Sequence, residues 1–452
     1  MLDWTKLREV LPNGEVLVPG DDGYEASLKR WNVAREAKAA VVVKPMCSDE
    51  VSASVQFAVA SGLPLTVCGG GHSTSGLSST EGMLIHLGNM RRVHVDETSG
   101  IVSFEGGCLW SDVDGALEAS GLATVAGVVN HTGVGGLVLG GGHGWLTARH
   151  GLTIDNLVAV EMVLADGSTV EASATQKPDL FWAVRGAGAM FGVVTRFKSR
   201  AHRQEPVWSG TLVFTPDKLG QLVAVANKLH VQDNREGHCL TLGFGYAPDG
   251  RTRALSAVPL FHGPEAEARA YFSELLRVGP VSDETQMMTM ARVNGLVNKV
   301  FAHGFRRFMG SSNVTMPLDA AGLQETADMM WSFCDARPNV DSSIIVIEIF
   351  PTHKQRSVPQ DATAYANRGD HYDVAVSFGW TEPALDDEVA EFGRTLREQI
   401  GRTNGHRARH GGGDERDKGA PEAYGENVER LRSLKRSFDP DNVFHKGFGI
   451  EG

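Results

Sequence analysis

The sequence predicts an α+β protein: an α/β first half and a second lobe with an antiparallel sheet flanked by helices. Three observations carry this. Short strand-like and helix-like runs alternate over the first 205 of 452 residues. Beyond them, strand pairs joined by turns are interleaved with amphipathic helices. And the chain is too long for one ordinary core. The expected division is 1–205, 206–410 and a closing segment 411–452.

Taken in order, 39–45 (AAVVVKP) and 63–68 (LPLTVC) are strands. A helix over 48–62, opened by Ser48 as its cap, joins them as a β-α-β crossover. Residues 100–107 form a strand and 109–121 a helix ended by Gly121. Residues 157–173 read as a hairpin about Asp166-Gly167, and 191–202 as a strand closing this half. In the second lobe VWSGTLVF (207–214) is a strand and 216–232 a helix. A hairpin over 240–261 turns at Pro248-Asp249-Gly250, and PEAEARAYFSELLRVG (264–279) is an amphipathic helix. Strands follow at 342–350 and 372–380, and a helix at 385–402. The polar, glycine-rich 401–422 reads as a connector, and AYGENVERLRSLKRSF (423–438) as a last helix.

Composition excludes several partners. Hydrophobic content of 42% and charged content of 22% suit a globular protein. A net charge of -12 argues against an electrostatic grip on nucleic acid or anionic lipid. No apolar run approaches the roughly 20 residues that span a bilayer. The first residues lack a secretory pattern, and five sparse cysteines are no disulfide framework, so a reducing cytoplasm is the expected home.

Glycine is the unusual residue, with 53 in the chain and 24 of them between Gly69 and Gly192. Such density implies sharp turns or close approach of backbone to a ligand. A Rossmann turn at GAGAMFG (186–192) is rejected because strand-like VVTRF follows it. No P-loop motif exists. The spaced pairs His143/His150 and Cys68/His72 complete no tetrahedral metal set, so no metal is expected. What remains is a cofactor whose pyrophosphate rests on consecutive bare peptide N–H groups, as CGGGHSTSG (68–76) and GVGGLVLGGGHG (133–144) could supply.

Five stretches, in order, resemble one family: VCGGGHSTSG, GGCLWSDVD, TGVGGLVLGGGHGWLTARHGLTIDN, DLFWAVRGAGAMFGVV and YGENVERLRSLKRSFDPDNVF. They are similar to the flavin-linked oxidases of the vanillyl-alcohol oxidase superfamily, nearest to its berberine-bridge-enzyme-like and 6-hydroxynicotine-oxidase-like members. The resemblance implies a PCMH-type FAD-binding domain of two α/β subdomains over 1–205, a substrate domain over 206–410, and a closing segment that returns to the first. It implies FAD bonded through its 8-methyl group to His72. It also places Cys68, Gly69, Gly70, Gly71, Ser73, Thr74, Gly76 and Leu77 on the cofactor. From the second loop come Thr132, Gly133, Gly135, Gly136, Gly140, Gly141, Gly142, His143, Gly144 and Asn156, and from the third Gly192, Val193 and Val194.

This chain departs from the family at several points. Where some relatives carry a second cysteinyl anchor stands Val129, so a single bond is expected, and Cys108 is packing. Thr132 occupies a position that gates dioxygen in relatives, and its small size favours access. Cys68 replaces a frequent arginine, Gly447 and Gly449 replace asparagines, and GHRARHGGG (405–413) lacks the tyrosine base of carbohydrate oxidases.

The implied activity is oxidation of an alcohol, amine or activated C–H of a small molecule, with electrons passed to dioxygen to give hydrogen peroxide. The alternatives are a dehydrogenase or oxidative cyclase, and a flavin-binding protein without turnover. Candidate bases are Glu348, His131 and Tyr365, then His303 and His143. Glu348 alternates with isoleucines, so its face depends on strand register. Trp145 is expected beside the flavin or in the core.

Overall fold

The computed structural model describes residues 3–450 apart from 233, 235, 248, 341 and 404–418. Most of the expected connector, its GHRARHGGG stretch included, therefore lies outside the described residues, as does Pro248. The helix before the connector runs Asp386–Thr403.

The first half holds two main sheets. Glu15–Leu17, Val41–Lys44, Met83–His86 and Leu65–Cys68 form the smaller, in that order. Val41–Lys44 and Leu65–Cys68 both run parallel to Met83–His86, which wedges between them, so the crossover helix Ser48–Ala60 skips one strand position. Ser48 does not cap that helix. Cys47 holds the cap position without a side-chain bond, and the Ser48 hydroxyl donates to Glu161 at 2.5 Å, tying the helix to the second sheet. That sheet orders Val93–Asp96, Ile101–Glu105, Val193–Arg200, Leu157–Val163 and Thr169–Ser173, antiparallel throughout. Val193–Arg200 follows GAGAMFG after one short 3-10 turn, so the helix a Rossmann turn needs is absent there.

The second lobe is built on a nine-stranded sheet. Its main path orders Ser282–Asp283, Leu212–Phe214, Arg253–Phe261, Cys239–Tyr246, Ile344–Ile349, Tyr372–Trp380 and Arg306–Val314, every pair antiparallel. VWSGTLVF breaks into Val207–Ser209 and Leu212–Phe214 because Gly210 sits at φ +148°, where a Cβ would overlap the Glu284 carbonyl. The amphipathic helix likewise breaks at Phe272, and the last helix at Gly425 (φ +52°).

Alternation gives this sheet two faces. On one, Leu242, Ile345, Ile347, Ile349, Val374 and Val376 meet Leu222, Trp331 and Leu396 from three helices, forming the largest core. The other turns towards the first half: Ile344 and Val346 pack on Trp31, Val129 and Phe301. Glu348 shares the side of Ile344 and Val346 and is opposite the three buried isoleucines.

The closing segment returns to the first half. Tyr424, Leu431 and Ile450 join Phe104, Trp110 and Phe197 in one core, and Phe444 enters another. Fully buried Lys435 donates to Asp439 Oδ2 at 2.6 Å and to the carbonyls of Met190 and Phe444 at 2.7 and 3.0 Å.

A buried ion pair joins the halves. Arg368 grips Asp155 bidentately, Nη2 to Oδ1 at 2.7 Å and Nη1 to Oδ2 at 3.0 Å, with side-chain exposures of 1% and 8%. Arg368→Ala would strand the Asp155 carboxylate, and a loss of about 3–5 kcal/mol in denaturant unfolding is expected. A loss below about 1 kcal/mol, the worth of a surface pair, would refute this account. Among the described residues no helix is long and apolar enough to cross a membrane, and all five cysteines are free.

Candidate active site

The first glycine loop leaves strand Leu65–Cys68 and turns through Gly71 (φ +65°) and Gly76 (φ +89°). Its carbonyls are tied to one side. Gly71 C=O accepts from Trp31 N–H at 3.0 Å, Thr74 C=O from Asn32 Nδ2 at 2.9 Å and Ser78 C=O from Arg30 Nε at 3.0 Å. The peptide N–H groups of Gly70, His72, Ser73 and Thr74 donate to no protein group among the described residues, and that of Gly71 faces the Cys68 sulfur. Ser73 Oγ accepts from Leu77 N–H at 3.1 Å and closes the loop.

The second loop meets the first back to back. A Cβ on Gly70 would overlap the Gly133 backbone, and one on Gly133 the Gly70 backbone. Gly136 has open space where its Cβ would be, and the N–H groups of Gly142 and His143 have no protein acceptor among the described residues. Unspent donors on bare, interlocked peptide make a cradle for a polyanion. The donor set fits the pyrophosphate of a dinucleotide.

His72 stands in this cradle with its ring stacked on Trp31 at 4.2 Å and 12°. Its Nε2 is buried without a partner. Burial, then the neighbouring His131, His303 and Arg307, push its pKa down to about 3, so the ring is neutral at pH 7. His131 lies 5.1 Å away, ring to ring, and His303 lies 4.7 Å from His131.

A second group of side chains lies further along the same sheet face. Thr241, Glu348, Asp373 and Asn313 stand in register on four neighbouring strands, a transverse polar row with steps of about 4.8 Å. Asn313 Nδ2 donates to Asp373 Oδ1 at 2.7 Å. From the second glycine loop His143 presents Nδ1 3.3 Å from Glu348 Oε2. Burial lowers the His143 pKa, but the bond and charge of Glu348, with Asp373 behind it, outweigh this and leave it raised. Burial, with the Glu348 charge, holds the Asp373 carboxyl up at about 6. Tyr365 lies flat on Gly141, where a Cβ would come within 2.6 Å of its ring.

Comparison with known proteins agrees with this geometry. Residues 39–173 match the family model described as FAD binding domain, and 414–451 that described as berberine and berberine like. The FAD-linked oxidoreductase pgmH of Aspergillus terreus is 37% identical over 95% of this chain and 92% of its own. The chain belongs to the berberine-bridge-enzyme-like FAD-linked oxidoreductases. The solved structure of 6-hydroxy-D-nicotine oxidase from Arthrobacter nicotinovorans superposes on this oxidoreductase with a TM-score of 0.85 at 25% identity, covering 97% of this chain and 98% of that one. A berberine bridge enzyme variant described as a reticuline dehydrogenase shares the fold, with a TM-score of 0.85 at 20% identity over 98% and 99% of the two chains. This oxidoreductase thus has the PCMH-type fold, FAD as cofactor and a small-molecule substrate.

Several residues of this oxidoreductase expected at the cofactor are engaged elsewhere. Asn156 spends its amide on its own turn, donating to the His150 and Leu152 carbonyls at 3.0 and 2.9 Å and facing His202 Nε2 at 2.7 Å. Cys68 is buried packing, its thiol pKa raised by that burial. Val193 and Val194 are core residues of their strand, and Gly192 is pressed against Met162 and Val163. Cys108 is packing, as expected, and Trp145 is buried beside Phe350. Two candidate bases change standing. Burial and the Asp373 charge raise the Tyr365 phenol and so favour its protonated form. His131 belongs to the His72 group, at the Ile344–Val346 end. Four strand residues, about 13 Å, separate Ile344 from Glu348.

Sequence reasoning missed Asp373, Asn313, Thr241 and Trp31. For Asp373 a signal existed: in YDVAVSFGW it alternates with Val374 and Val376, as Glu348 does with its isoleucines. Of the spaced pairs rejected as a metal set, His150 stacks on His202 at 3.7 Å. His143, Glu348 and Asp373 do bring one ligand atom each within 4.8 Å of the others, a donor set that suits proton sharing or a divalent cation.

Around His150 lies a histidine-rich seam between the halves. His262 faces Arg149 at 3.3 Å and His238 stacks on Phe261 at 3.9 Å. Burial pushes His150 and His262 down to about 3, His238 to about 4, and lowers His202. The fold favours the neutral rings, so their stabilisation is complete above 6.5 and drains away as pH falls from 6.5 towards 3. Urea midpoints should decline across that window, and His262→Gln should flatten the decline. An unchanged slope in the variant would remove the seam from the account.

Proposed function

We propose that this enzyme is an oxidase carrying FAD on a single bond to His72, and that it oxidises a small organic molecule seated against the polar row. The observation that carries the reading is His72: a neutral imidazole with a buried, unpartnered Nε2, beside two interlocked glycine loops in which the N–H groups of Gly70, His72, Ser73, Thr74, Gly142 and His143 meet no protein acceptor among the described residues. Val129 packs against Trp31 where a second, cysteinyl anchor would stand. Bound FAD would supply the acceptor for one hydride, that is, two electrons and a proton. The protein supplies proton handling: Glu348 takes a proton from the substrate, His143 steadies the carboxylate, and Asp373, held in place by the Asn313 amide N–H, stands close enough to share that proton.

Thr132, small and beside the Gly70–Gly133 junction, supports dioxygen as the electron acceptor. The dehydrogenase reading has support from the shared fold of the reticuline dehydrogenase variant. The alternative of a binding protein without turnover falls with the family assignment. The test has two parts. Acid-precipitated protein should remain yellow, and substrates found by a peroxide-coupled screen of alcohols, amines and polyphenols should bleach the colour without air. Rapid return of colour in air supports the oxidase. Bleaching that persists in air makes the enzyme a dehydrogenase, and pigment released by acid denies the bond.

A further inference from the structure

The reading of His72 as the attachment point, on which this inference rests, leaves a proton to be placed. A neutral imidazole attacks through its bare nitrogen, and the other nitrogen must then release its proton. Among the described residues few protein groups surround the ring, and its N–H is held by the carbonyl of His72 itself, which cannot carry the proton away. Trp31 covers one face, and its indole N–H is already committed to the Phe301 carbonyl at 2.6 Å. Arg307 lies over Trp31 at 4.8 Å and has no acceptor atom. His303 meets His72 edge-on at 6.2 Å. His131 is nearer, at 5.1 Å and 35°; its ring nitrogens are buried, make no well-formed hydrogen bond and approach only the backbone of Asn298 and of His131 itself. A neutral imidazole keeps one bare nitrogen, so His131 has an acceptor to offer. On its far side His131 reaches His303 at 4.7 Å, and His303 is exposed. The Glu348 row belongs to a separate group of side chains, two to four strand residues, about 7–13 Å, beyond Val346 and Ile344.

We infer that His131 is the proton acceptor for FAD attachment, taking the proton from His72 and passing it by His303 to water. One N–C bond forms between His72 and the 8-methyl carbon, while one methyl C–H bond and one imidazole N–H bond break. Two electrons enter the flavin ring system, and dioxygen then takes them with two protons as hydrogen peroxide.

The experiment follows tethering itself, without any substrate. Wild type, His131→Ala, His131→Gln and His303→Ala are expressed under riboflavin limitation and mixed with FAD in air. Acid-stable yellow colour is followed in time, with circular dichroism and flavin fluorescence quenching reporting folding and reversible binding. His131→Ala and His131→Gln should bind FAD but tether it ~100-fold more slowly, the low end of a general-base contribution. Added imidazole should restore part of the rate in His131→Ala, which a packing role would not allow. His303→Ala should slow tethering less. If either folded His131 variant tethers at the wild-type rate, the assignment is overturned. If wild type itself never acquires acid-stable colour, the reading of His72 falls and this inference with it.

Discussion

His72→Ala is expected to yield a protein whose yellow colour passes entirely into the supernatant on acid precipitation, whereas wild type keeps it in the pellet. The N–H groups of Gly70 to Thr74 remain in the variant, as does the Gly70–Gly133 junction, so FAD still binds, reversibly. Reversible binding makes stability depend on free FAD, with a gain of about 2.7 kcal/mol at a hundredfold excess over Kd. The variant's melting temperature should therefore climb with added FAD, and the wild type's should not. The Trp31 ring loses its stacking partner, a smaller effect of about 0.5–1.5 kcal/mol. Were the wild-type melting curve to respond to FAD as the variant's does, no bond would exist to explain.

Glu348→Gln is expected to slow substrate reduction of the flavin by about 10²–10⁴-fold, the worth of a positioned general base. Glutamine keeps the shape and the contact with His143 but cannot take a proton. FAD content and acid-stable colour should not change, because the tether lies at the other end of the strand. Removing the Glu348 charge also relieves one of the causes that raise Asp373. The acid limb of the rate profile, set near 6 by that carboxyl in wild type, should therefore move to lower pH in whatever activity remains. A variant that reduces its flavin within about threefold of wild type would transfer the base to another group. Asp373→Asn then names the first place to look.

The two ends of the site were legible to different degrees. The cradle was visible in sequence because its chemistry is backbone chemistry, and glycine runs such as 69–71 and 140–142 announce it locally. The nucleophile His72 sits inside such a run. The proton-handling end is written in four strands, at 241, 313, 348 and 373, and only register brings these residues together. Glu348 could be named but not faced. Asn313 lies in strand Arg306–Val314, whose arginines and serines mask its alternation. Asn156 misled because a motif position says nothing about where a buried amide finds its partners. Ser48 misled similarly: a cap residue by type, it is drawn off by Glu161 across a helix–sheet contact. Helices expected as single units broke at Phe272 and Gly425, where tertiary packing outweighs local propensity.

The buried Lys435–Asp439 pair and the residues after it have a consequence for biogenesis. Phe444 and Ile450 complete cores most of whose other members lie more than two hundred residues earlier in the chain. Until that segment has been made and has docked, the nucleotide half stays unsealed, so prosthetic-group loading must await it or proceed on a half-made vessel.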